Sequence, residues 1–107
     1  MIKNYRKSKK SYPNGVLLIT DSGKGFVDRY SVYYAPYEHK DELIFPYVAM
    51  DQNPYSPGGF GQYGELYHRY SVWGTNDKVI EFETLPIDCQ KLVISDLRYH
   101  QTLISQE

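Results

Sequence analysis

At 107 residues, with a formal net charge of −1 and one cysteine, the chain is long enough for one buried core and has no means of forming an internal disulfide. Its longest apolar runs, residues 16–19 and 43–50, fall far short of a membrane span, and no apolar stretch follows the charged N-terminal residues, so neither an anchor nor a signal peptide is expected. The reading is a single cytosolic domain.

The charge is unevenly spread. Lys3, Arg6, Lys7, Lys9 and Lys10 place five of the twelve basic residues in the first ten positions, leaving seven basic against thirteen acidic residues, about −6, for the rest. Residues 1–12 therefore read as a basic, flexible arm ahead of an acidic domain at 13–107, and such an arm suits phosphates or an acidic partner. The twelve tyrosines suit strands whose aromatic bodies pack while their hydroxyls meet a rim or a partner.

Pro13-Asn14-Gly15 is a turn signal, and residues 16–20 form a first strand. The run DSGKG at 21–25 reverses the chain into a second strand over 26–35, with Phe26, Tyr30, Val32 and Tyr34 on one face. Residues 36–42 read as a charged connection. A third strand spans 43–50, and Pro46 within it, which cannot donate to a ladder, predicts an edge position or a bulge. An edge strand would also allow a homodimer.

Residues 51–64, DQNPYSPGGFGQYG, form a loop that cannot be helical. A fourth strand is predicted over 66–73 and a fifth over 79–84, joined as a hairpin through the turn at 74–77. Pro86, Asp88 and the spacing of Cys89, Leu92, Val93, Leu97, His100, Leu103 and Ile104 predict a C-terminal helix of about 18 residues. The fold class is α+β: about five mostly antiparallel strands in a curved sheet or half-barrel, with one helix packed on it.

Arg29-Tyr30-Ser31-Val32 recurs as Arg69-Tyr70-Ser71-Val72. The flanks do not match, so shared strand vocabulary is the simpler account. Were these strands to pair, Arg29 and Arg69 would share one outer face.

No catalytic constellation emerges. Cys89 and His100 lie about 16 Å apart along a helix, whereas a nucleophile and its base need about 3 Å. Asp96 and His100, at i and i+4, instead read as a structural polar pair at the helix and sheet boundary. His39, His68 and His100 are scattered and the cysteine has no CxxC partner, so no metal or other cofactor is expected. DSGKG lacks P-loop spacing, and Asp51 with Asn53 lacks the closing acidic residue of a calcium loop.

Binding is what the composition favours. Pro54 and Pro57 stiffen the loop, its glycines permit tight turns, and Asn53, Tyr55, Phe60, Gln62 and Tyr63 offer recognition groups for a protein partner. The alternative is single-stranded nucleic acid held by Lys3, Arg6, Lys7, Lys9, Lys10, Arg29 and Arg69, with tyrosines such as Tyr33 or Tyr67 stacking on bases.

Two stretches, NPxxPxGFGQxGE at 53–65 and LPxDCQKLVxxDL at 85–97, resemble a loose set of small uncharacterised bacterial proteins often encoded on phages, plasmids and other mobile elements. The resemblance implies no established activity and assigns no catalytic residue, while a mobile-element origin would favour a small binder that modulates host or element machinery.

Overall fold

The computed structural model describes residues 11–25, 28–67 and 78–105. Among the described residues, six strands form one open sheet: β1 (Val16–Asp21), β2 (Tyr30–Tyr34), β3 (Tyr37–His39), β4 (Glu42–Met50), β5 (Phe60–Tyr67) and β6 (Lys78–Val79). A 3-10 turn, Phe82–Thr84, leads into the helix α1 (Ile87–Ser105). All the pairings among these strands are antiparallel, so the structure is α+β, as the sequence predicts.

The helix lies against one face of the sheet. Leu85, Cys89, Val93 and Leu97 recur at four-residue spacing and pack with Ile19, Tyr30, Val32, Tyr34, Val48 and Met50. Burying one side chain of the size of Val93 contributes roughly 1.5–3 kcal/mol. On the opposite face Leu17, Leu18, Leu43 and Phe45 form a second buried cluster, joined by Tyr33 and Val79. Strand β1 therefore has both faces covered, which is why VLLIT is continuously buried while β2 alternates. The helix starts beside Pro86, whose carbonyl accepts the Gln90 N–H at 3.0 Å, and Asp88 sits in its first turn, where the dipole favours a carboxylate.

Several predicted elements need correction. The connection at 36–42 contains β3, and Lys40 and Asp41, both at positive φ, form the two-residue turn of a β3–β4 hairpin. Only Tyr30–Tyr34 of the second predicted strand is extended in the ladder, and residues 26 and 27 lie outside the described residues.

The third strand is not an edge. Strand β4 carries β5 along one side and both β2 and β3 along the other. Positions 45–46 of β4 fall between the β2 ladder, which ends at Tyr33–Tyr47, and the β3 ladder, which begins at Tyr37–Ile44 with the register slipped by one residue. Pro46 thus stands where the ladder on one side of β4 is interrupted, which is how a proline is accommodated inside the sheet. This removes the premise for a homodimer through that strand.

The fourth strand starts six residues earlier than expected, at Phe60, so part of the predicted loop is sheet. The predicted fifth strand shrinks to β6, which pairs with β1 through Thr20 and Asp21, and the turn at 82–84 replaces its second half. Residues 68–77, including the expected hairpin turn, lie outside the described residues.

Candidate interaction surface

The true loop between β4 and β5 is residues 51–59, and its own backbone closes it. The Asp51 N–H donates to the Gly59 carbonyl at 2.7 Å, Ser56 N–H to Asn53 at 3.1 Å and Gly59 N–H to Ser56 at 2.8 Å, while the Ser56 hydroxyl also reaches the Asn53 carbonyl at 2.8 Å. Gly59 permits this winding: a Cβ there would stand 2.5 Å from the Asn53 carbonyl oxygen. The Cys89 thiol at the start of α1 points at the Asp51 carbonyl, 3.5 Å away, so the loop is docked on the helix. Pro54 is buried beneath it, Asn53 is exposed, and Tyr55 projects outward at 63 % exposure.

Phe60 opens β5 and is half-buried against the core. Gly61, at φ +99°, is the extra residue of a bulge, since Met50 pairs with Phe60 and Ala49 with Gln62. The ring of Tyr63 lies beside it, where a Gly61 Cβ would sit 3.6 Å from Cε2, and Phe60 meets the same ring edge-on at 6.3 Å. Although Tyr63 is 57 % exposed, its hydroxyl donates to Asp96 Oδ1 at 2.6 Å. The other Asp96 oxygen accepts the hydroxyl of fully buried Tyr34. Burial first, and then the bond to Asp96, pushes the Tyr34 phenol far above the ordinary tyrosine value. A buried carboxylate thus ties the helix to β2 and to β5 at once.

Two residues beyond Tyr63, on the same face of β5, exposed Glu65 accepts the Tyr37 hydroxyl at 3.0 Å. On the other face the Tyr47 ring packs against Gly64, where a Cβ would be 2.4 Å from it, and meets Tyr33 at 5.4 Å.

Of the predicted recognition groups, Asn53 and Tyr55 lie on the loop, and Phe60 and Tyr63 on the first half of β5 that follows it, with Phe60 packed against the core instead of standing as an exposed anchor. Gln62 belongs to β5, its side chain outside the described residues. Lys3, Arg6, Lys7, Lys9, Lys10 and Arg69 of the nucleic-acid alternative also lie outside them. Arg29 is engaged: it pairs with Asp21 through Nε–Oδ1 at 2.8 Å and Nη2–Oδ2 at 3.1 Å, donates to Gln52 at 3.0 Å, and lies 5.0 Å over the Tyr30 ring. The Arg29 hydrogen bonds hold the Asp21 carboxyl below its usual range. Tyr33 is half-buried.

Sequence reasoning flagged Asp96 as a polar residue on an apolar stripe but assigned its partner as His100, whose side chain lies outside the described residues. Among the described residues, partners of Asp96 come from β2 and β5. The two-residue alternation along each strand could have directed Tyr34 and Tyr63 toward the helix, had the start of β5 been known. Among the described residues no group of three His, Cys, Asp or Glu side chains is arranged to hold a metal ion, and no helix is long and apolar enough to cross a membrane. Comparison with protein-family models, with curated proteins and with solved structures gives no match.

Proposed function

We propose that this chain is a non-enzymatic binding module that recognises a protein partner through Tyr55 and Tyr63, with the loop at 51–59 and Phe60 as their rigid base. The observation that carries this reading is the combination at Tyr63 of an exposed ring with a fixed hydroxyl. An aromatic side chain already held in place gives up little entropy when a partner covers it, so its apolar area is available for affinity. Tyr55 stands on a loop that is bonded to itself and to the helix, which extends the same preorganisation.

The reactive groups support a binder over a catalyst. Burial pushes the Cys89 thiol up to about 11, the wrong direction for a nucleophile. Asp96 already accepts two phenols. A modulator encoded on a mobile element, the kind of small binder that such an origin would favour, would need no more than such a surface.

The test is affinity capture with wild-type, Tyr55→Ser and Tyr63→Leu baits of equal thermal stability. A protein retained by the wild type and lost from both variants is the expected result. Identical retention by all three baits would remove the reading, because exposed anchors usually cost more than about 1 kcal/mol each on truncation.

A further inference from the structure

We infer that the β5 margin of this surface selects a cationic partner: an extended peptide segment that places an arginine between the ring of Tyr63 and the carboxylate of Glu65. The inference rests on the reading of Tyr63 as a recognition residue and names the chemistry that residue would recognise. Tyr63 and Glu65 are exposed and two positions apart on one face of the same strand, a separation of about 6–7 Å. A guanidinium is planar and weakly hydrated, so it can lie over an aromatic face while donating to a carboxylate beside it.

Both groups are prepared for that task. The Tyr37 hydroxyl bonded to Glu65 at 3.0 Å orients the carboxylate. Donation from Tyr63 to Asp96 at 2.6 Å draws electron density onto the phenol oxygen and ring, which strengthens attraction for a cation above the ring.

Beyond its first ten residues the chain as a whole has the matching sign. Outside the first ten residues the chain carries seven basic and thirteen acidic residues. Arg29 is committed to Asp21. Lys91 and Arg98 are exposed on α1, but at 100° per residue they lie about 140–160° around the helix from Asp96. An extended occupant is favoured over a helical one because its alternate side chains repeat at about the same 6–7 Å as Tyr63 and Glu65.

The test uses fluorescence polarisation with a fluorescein-labelled peptide of four Ser-Arg repeats, alongside the corresponding Ser-Lys and Ser-Glu peptides. The arginine peptide should bind most tightly, in a salt-sensitive manner, and the Ser-Glu peptide not at all. Glu65→Gln, which leaves Tyr63 in place, and Tyr63→Leu should each weaken the arginine peptide by about fivefold to tenfold. Glu83→Gln, an equal charge change on the 3-10 turn, should alter it less than about twofold.

Equal losses from Glu65→Gln and Glu83→Gln would overturn the inference, since they would mean attraction to a diffuse acidic field. So would the absence of arginine-peptide binding. Capture of a labelled oligothymidylate that Tyr63→Leu abolishes would also overturn it and assign the surface to nucleic acid. If the peptides fail while affinity capture still distinguishes the Tyr55 and Tyr63 variants, the binding surface stands and only its cationic specificity falls.

Discussion

Asp96 takes one phenol from the centre of the sheet and one from β5, which among the described residues pairs with β4 alone and so forms the margin. Tyr34 is buried beside Val16, Val32 and the helix, whereas Tyr63 is 57 % exposed on β5. The carboxylate is the same, but the environments are opposite. At Tyr34 the hydroxyl has no water to fall back on, so the hydrogen bond is a condition of burying the ring. At Tyr63 water can replace the bond, and its main effect is to hold an exposed ring still. One contact therefore fastens the core and positions a surface, so substitutions can separate the two effects.

The largest effect is expected from Tyr34→Ala, which empties a core site and should cost about 3–5 kcal/mol in urea denaturation. Gly59→Ala comes next. Its Cβ would press on the Asn53 carbonyl and Ser56, and such crowding costs about 1–3 kcal/mol. Because the strain falls in the loop, partner capture through Tyr55 should weaken as well. The pair Tyr34→Phe and Tyr63→Phe tests the comparison directly. The first leaves a buried carboxylate oxygen short of a donor, at about 1–3 kcal/mol, and the second should cost about 1 kcal/mol or less. Equal losses would mean that margin and centre do not differ as argued.

A weaker test concerns the far end of the loop, where Arg29 joins Asp21 to Gln52. The Asp21 carboxyl is held below its ordinary value, chiefly by the Arg29 hydrogen bonds. The folded state therefore gains stability above the unfolded carboxyl value and loses it as the pH falls through the depressed one. Arg29→Gln should flatten that acid limb in urea midpoints followed from neutral to acid pH. The smallest effect belongs to Tyr55→Ser, a surface change expected within about 0.5 kcal/mol of wild-type stability. Its consequence should appear in partner binding alone.

The same contrast explains what was legible in the sequence. Cys89, Val93 and Leu97 return at helical spacing behind Pro86, and α1 emerges where that pattern predicts it. The apolar run at 16–20 and the alternation at 30–34 mark β1 and β2. The margin was harder to read. Gly61 and Gly64 made residues 60–64 look like loop, yet one is the bulge residue and the other makes room for the Tyr47 ring. Both glycines serve the sheet, but their purpose is visible only once β4 lies alongside.

Local chemistry decided which segments are helical or extended and which side chains share a face, because periodicity and turn residues act within a few positions. Tertiary structure decided that Pro46 lies inside the sheet, that β6 joins β1, and that Asp96 meets Tyr34 and Tyr63. Those choices depend on pairing between distant segments. A strand's alternation specifies its two faces, while the neighbour along its edge is chosen by burial summed over the whole core.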